Sequence, residues 1–199
     1  MVNLPEGKMK SREGTVVDAD DLIFEVQELV KKELNGRTEI SKKELEKKSL
    51  IIALAAIKYL LLKVNIRKNM TFNPKESISF EGDTGPYLLY SYARACSILK
   101  KVKTPKSYKI EDELDKKEEA LISKISQFEK TVEEAYLTMN PSLIANYAYQ
   151  LSQLFNEFYH ACPVINSKNQ DFRLNLVLSF KQVLGNALYL LGIETLEEM

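Results

Sequence analysis

The chemistry this chain can offer is concentrated between Phe80 and Lys101, in FEGDTGPYLLYSYARACSILKK. Tyr90 and Arg94 are four residues apart and share one helical face, with Tyr87 one turn earlier. An aromatic ring beside a guanidinium can stack an unpaired base and hold its phosphate. The competing use is packing: tyrosines on an amphipathic helix bury their rings and leave the hydroxyls at the rim. That use suits Tyr92, which shares a face with Leu88, Leu89 and Cys96, and Arg94 could equally be a structural ion-pair partner. Residue types alone favour packing.

A second group is KMKSRE, Lys8 to Glu13, between Gly7 and Gly14. Three cations on a loop flanked by glycines can approach phosphates closely, although spacing alone also suits a solvated charged loop. A third is NEFYHACPV, Asn156 to Val164, which holds the sole histidine. His160 has no Cys, Asp or second His at ligand spacing, so no metal site is expected. No nucleophile and orienting acid can be matched to it either. Phe155 and Phe158 read as core. The ending LGIETLEEM would, as a generic tail, be frayed.

The elements that must position these groups are helices. With 45% hydrophobic and 28% charged residues, the 199-residue chain has material for a real core. Seven glycines and six prolines leave little room for a turn-rich sheet protein. Net charge is zero, with 17 basic and 14 acidic side chains up to residue 100 and 11 and 14 beyond it. Nucleic-acid binders usually show a stronger basic excess, so any RNA contact here should be local.

Six helices are expected. The first starts at Asp18 to Asp21, carries Leu22, Val26, Leu29 and Val30 on one face, and ends at Asn35-Gly36. The second begins at a Ser41/Glu44 capping box and is apolar nearly all round after Ser49. Residues 64–85 form an ordered connector. The third helix is capped by Asp83 or Thr84, starts at Pro86 and stops near Lys103. Apolar spacing predicts one seven-turn helix from Ile110 to Leu137, a fifth after Asn140-Pro141, and a sixth after Asn166-Ser167 with Gly192 just past its end. Extended backbone is expected at most near Thr15 to Val17. The fold class is therefore all-α, a helical bundle with an N-terminal loop and a connecting helix.

Cys96 and Cys162 sit in apolar helical patterns and read as buried thiols of a reducing compartment. MVNLPEGKMK is not a signal peptide, and the apolar run Leu50 to Leu62 is interrupted by Lys58 and too short to span a bilayer. A cytoplasmic location is expected.

Four segments, in order, resemble arginyl-tRNA synthetases. TGPYLLYSYAR is similar to the TGPYxxYxxAR helix that opens the family's anticodon-binding domain. MVNLPEGKMKSREGTVVDADDL resembles its KMSKS-type loop and the stretch joining the catalytic domain to the helical domain. FNEFYHACPV resembles its FNxFYxxxxV element, and LGIETLEEM its LGIxxxxxM ending. The resemblance spans Met1 to Met199 and implies two parts. Residues 1–38 would be the KMSKS-type loop and connecting helix from the end of the catalytic domain. Residues 39–199 would be the α-helical, DALR-type anticodon-binding domain.

It implies that Lys8, Met9, Lys10, Ser11 and Arg12 close over the ATP phosphates in the intact enzyme. The family pattern places a lysine fourth, whereas here Lys10 is third and Ser11 fourth, so Lys10 and Arg12 are the candidates to face ATP. It implies RNA contacts for Tyr87, Tyr90, Arg94, Tyr159 and the terminal Met199. ATP and Mg would act in the intact enzyme, with no cofactor bound by this fragment. The partners would be the anticodon loop of arginine tRNA and the enzyme's own catalytic domain, with no DNA and no membrane.

The HIGH-type signature, the βαβ alternation and the Gly-rich turn of a class I catalytic domain are not in the sequence. The chain therefore reads as a C-terminal fragment, inactive alone, in which Met1 need not be a native start and the family-like ending suggests the native C-terminus. The alternative is a helical protein-interaction domain with no RNA role. An RNA binder should gather Lys63, Arg67, Lys68, Arg94 and Lys100 on one concave basic face, whereas a protein binder should expose an apolar groove.

Overall fold

A computed structural model describes residues 2–4, 7–8, 18–35, 41–71, 73–103, 105, 107–110 and 113–199, with backbone alone for 2–4, 7–8, 74 and 75. The expectations for Met9 to Arg12 and for Thr15 to Val17 lie outside the described residues.

Helix α1 (Ala19–Asn35) has Asp20 and Asp21 in its first turn, where acidic groups complement the helix dipole. It buries Val26, Val30 and Leu34 against α2 (Lys42–Leu62). Ser41 caps α2 by accepting from the Glu44 amide (3.3 Å), and from Ser49 onward α2 is largely buried, as its all-round apolar sequence requires.

The connector is more structured than its composition suggests. It holds β3 (Met70–Thr71) and a single turn, α3 (Pro74–Ser77). Strand β1 (Val2–Leu4) pairs antiparallel with β2 (Gly7–Lys8) and parallel with β3, with Val2 opposite Met70. These strands of two or three residues are too short for alternation to reveal.

Helix α4 (Gly85–Lys101) is capped by the Thr84 hydroxyl, which accepts from the Tyr87 amide at 3.3 Å. A Cβ at Gly85 would fall 2.2 Å from the Ala55 carbonyl oxygen, so α4 crosses α2 with no side chain between them.

The expected seven-turn helix Ile110–Leu137 is corrected to two. Helix α5 (Lys116–Ser126) starts later because Asp115 and Glu118 form a capping box: Asp115 accepts from the Lys117 amide and Glu118 from the Asp115 amide, both at 2.7 Å. Ile110 is half exposed and outside the helix. At Gln127 the amide turns back to the carbonyls of Lys124 and Ile125, which ends α5, and α6 (Phe128–Leu137) begins at the next residue. Met139 then adopts a left-handed φ of 49°. Its amide reaches the Tyr136 carbonyl (3.2 Å) and that of Asn140 the Ala135 carbonyl (2.9 Å), so α6 closes in a Schellman turn.

Helices α7 (Ser142–Ala161) and α8 (Gln170–Leu190) complete the bundle. Asn140 does not cap α7 through its side chain onto the backbone. It accepts instead from the Ser142 hydroxyl at 2.7 Å. Gly192 (φ 66°) ends α8 in a second Schellman turn, in which the Ile193 amide bonds the Leu188 carbonyl at 2.9 Å. The core lies among α2, α4, α7 and α8. Phe155 and Phe180 stack there with ring centres 3.7 Å apart, Phe158 packs against Phe155, and both cysteines are buried. No helix among the described residues is long and apolar enough to cross a membrane.

Candidate nucleic-acid interface

Helices α4 and α7 lie side by side, and the residues singled out at Tyr90, Arg94 and Tyr159 meet across that seam. Tyr90 (41% exposed) and Tyr159 (40% exposed) present their rings to solvent. The Arg94 guanidinium lies 4.7 Å from the centre of the first ring and 4.9 Å from the second. It donates to the Tyr90 hydroxyl at 3.0 Å and to the Asn156 amide oxygen at 2.5 Å. Both acceptors are neutral, so the cation is held without being neutralised by them.

Tyr87 is tied differently. Its half-buried ring meets Tyr149 edge-on at 5.8 Å, and its hydroxyl accepts from the Asn156 amide at 2.8 Å. Tyr92 packs on Gly185, as its apolar neighbours suggest, with its ring 3.3 Å from where a Cβ would stand.

The chain's ending is the third wall. Lys58, which interrupts the apolar run of α2, donates to the Gly192 carbonyl at 2.5 Å and so holds the turn from which the tail departs. The tail is not frayed. Ile193 and Leu196 are buried, and Lys100 pairs with Glu198 (2.6 Å) and Glu197 (3.4 Å). The hydrogen bond to Glu198 raises Lys100 above the ordinary ammonium value, and Lys100 in turn lowers Glu198. Met199 thereby reaches a pocket of about 280 Å³ that it shares with Tyr90, Arg94 and Tyr159. A larger cleft of about 660 Å³ shares Tyr90 and Arg94 with this pocket and is lined also by Tyr87, Asn156, His160, Phe80, Glu33 and Glu81.

Charge is distributed otherwise than a single basic face would require. Lys63 donates to the Asp83 carbonyl (2.7 Å) and pairs with its carboxylate (3.1 Å), at the start of α4. Lys100 sits at the far end of that helix, about 25 Å along it, in its own acidic pairs. The expected gathering of Lys63 and Lys100 with Arg94 is corrected to a mixed surface, because the first two are each held by a nearby carboxylate. Arg94 is the cation that faces the two exposed rings.

The profile of the DALR anticodon binding domain family matches residues 88–199, from the first turn of α4 to the last residue. The chain belongs to the DALR anticodon binding domain family. Over its whole length this DALR chain is 46% identical to an arginine–tRNA ligase of Phocaeicola vulgatus and 44% identical to one of Bacteroides fragilis, covering 35% of each. Its fold superposes on Thermus thermophilus arginyl-tRNA synthetase with a TM-score of 0.89 at 30% identity, over 100% of this chain and 34% of that one. Against the Plasmodium falciparum enzyme the TM-score is 0.82 at 28% identity, over 92% of this chain and 34% of the other. The DALR chain thus spans about a third of the length of the curated relatives it matches.

The structure places Tyr87, Tyr90, Arg94, Tyr159 and Met199 around two adjoining hollows. Lys8 contributes backbone to β2, while Met9, Lys10, Ser11 and Arg12 lie outside the described residues. Among the described residues no cluster of three or more His, Cys, Asp or Glu side chains could hold a metal ion. Sequence reasoning missed Asn156 and Lys58, and it reads Gly85 only as a tight entry to its helix, not as the point where α4 crosses α2. Gly85 and Asn156 carried a signal, since both stand inside the resembling motifs.

Proposed function

We propose that this chain is the anticodon-binding part of an arginyl-tRNA synthetase, an enzyme that joins arginine to its tRNA using ATP and magnesium. Residues 39–199 grip the anticodon loop, and residues 1–38 lead from a catalytic domain on which the whole reaction depends. In that intact enzyme Lys8 to Arg12 border the ATP site, and the location is the cytoplasm. This chain supplies tRNA binding and discrimination, and the adenylation pocket belongs to the catalytic domain.

The observation that carries the reading is the Arg94 guanidinium laid against two exposed tyrosine rings from different helices, with Met199 in the same pocket. Unpaired anticodon bases stack on Tyr90 and Tyr159, at about 1–3 kcal/mol each, while Arg94 takes an intervening phosphate. Met199 supplies an apolar edge for a base to rest on.

The test is binding of the purified protein to arginine tRNA and to the same tRNA with altered anticodon bases, at two salt concentrations. Selective loss with the altered anticodon is expected. Equal, weak and salt-sensitive binding to both would mean that the loop is not read here.

A further inference from the structure

Asn156 stands behind the exposed pair and touches three residues of α4. Its amide oxygen accepts from Arg94, and its amide nitrogen donates to the Tyr87 hydroxyl (2.8 Å) and the Ser91 hydroxyl (3.1 Å). The Ser91 hydroxyl donates in turn to the Tyr87 carbonyl at 3.0 Å, so its oxygen is available to accept. This pattern assigns the amide orientation, because a flipped side chain would set an NH2 against the guanidinium. Three directed bonds fix the Asn156 side chain, and through it the guanidinium.

The residue type is informative. An aspartate here would bind the guanidinium more strongly, through a charge-assisted hydrogen bond. It would also neutralise the cation and could not donate to Tyr87 and Ser91. An asparagine holds the guanidinium in place and leaves its charge available.

We infer that Asn156 is a positioning residue for RNA recognition, which aims the Arg94 guanidinium at a phosphate without neutralising it. This inference rests on the tRNA-binding reading.

The test compares Asn156→Ala and Asn156→Asp with the unmodified protein and with Tyr90→Ala. Affinity for arginine tRNA is measured across a salt series, and thermal melting reports the fold. For Asn156→Ala we expect affinity to fall five- to tenfold with an unchanged salt slope, because the charge remains but is no longer aimed. For Asn156→Asp we expect the slope of log K against log salt to shrink by about 0.7, one single-strand phosphate contact. If Tyr90→Ala weakens binding but both Asn156 variants keep the parent affinity and slope, the inference is wrong and the reading stands. Equal losses in both variants that track a lowered melting temperature, with no change of slope, would also overturn it in favour of a packing role. If the unmodified protein does not bind, or Tyr90→Ala binds as it does, the reading fails and the inference with it.

Discussion

The Arg94 guanidinium lies 4.9 Å from the centre of the Tyr159 ring, across the seam between α4 and α7, 65 positions further along the chain. The same group rests 4.7 Å from Tyr90 on its own helix. A cation shared by two rings orders both before any ligand arrives, since each contact contributes about 0.5–1 kcal/mol at an exposed site. Pre-ordering lowers the entropy lost on binding, which is where a small, largely neutral surface most needs help.

Replacing either ring should therefore show in RNA affinity. Tyr90→Ala and Tyr159→Ala are each expected to weaken binding to arginine tRNA by ten- to a hundredfold, the equivalent of about 1–3 kcal/mol of stacking. The double variant should lose less than the product of the two, because both rings act through one guanidinium. Binding unchanged in a folded Tyr90→Ala protein would remove that residue from the site, and strict additivity would show that the rings act independently.

Much of this arrangement was readable in the amino-acid order. The four-residue spacing of Tyr90 and Arg94 fixed their common face, and Phe155 and Phe158 declared themselves core by periodicity. The split at Gln127 was less visible, because the apolar stripe runs through it and the break is made by backbone amides. The start of α5 could have been read from Asp115 and Glu118, a capping box that the apolar stripe from Ile110 obscured. Pairing of Lys63 with Asp83, or of Lys100 with Glu198, depends on which helices cross, and spacing along one helix carries no trace of that. The anchored tail was hidden for the same reason: Ile193 and Leu196 are buried, and the tail is tied to Lys58 and Lys100, which lie far back in the chain.

The crossing of α2 and α4 makes Gly85→Ala the most informative change for stability. The added methyl would fall 2.2 Å from the Ala55 carbonyl oxygen, so the helices must part. Overpacking of this kind costs about 1–3 kcal/mol, or roughly 2–12 °C in a protein of this size. Gly82→Ala is a useful comparison, since φ is 78° there with open space around it, and only backbone strain of about 1 kcal/mol applies. A Gly85→Ala protein that unfolds in urea at the parent midpoint would contradict the close approach.

Glu118 is fully buried and bonds to Arg173 of α8 at 2.6 Å while also closing the α5 cap. Glu118→Ala should lose about 3–5 kcal/mol, because it leaves the largely buried guanidinium without its carboxylate, with the Pro163 carbonyl still accepting from it. The pair Glu118→Leu with Arg173→Met should recover part of that loss. If the single and double variants melt together, the charge pair is not what holds α5 to α8.

Alkali should weaken the fold. Burial first, then the hydrogen bond to Asp83, raises Tyr59 above its ordinary 10.0, and burial raises Tyr147 likewise. Burial also lifts both thiols above 9.0. The folded state keeps these protons after the unfolded chain has released them. The contribution is therefore complete below the unfolded values and declines as pH rises past about 9–10. Urea midpoints measured from roughly pH 8 to 11 should fall at the upper end, with a shallower decline in Tyr147→Phe. A flat profile would sink this assignment.

The tail stitched by Lys58 and Lys100 makes the candidate surface a composite of three distant stretches: the middle of α4, the end of α7 and the last seven residues. None of the three holds its place unless the bundle has closed. A ligand of this surface would therefore see only the folded population, and its affinity would double as a gauge of folding. At a hundredfold excess over its dissociation constant such a ligand would raise the unfolding free energy by about 2.7 kcal/mol. Occupancy and thermal endurance would then rise and fall together, even for substitutions placed far from the tyrosines.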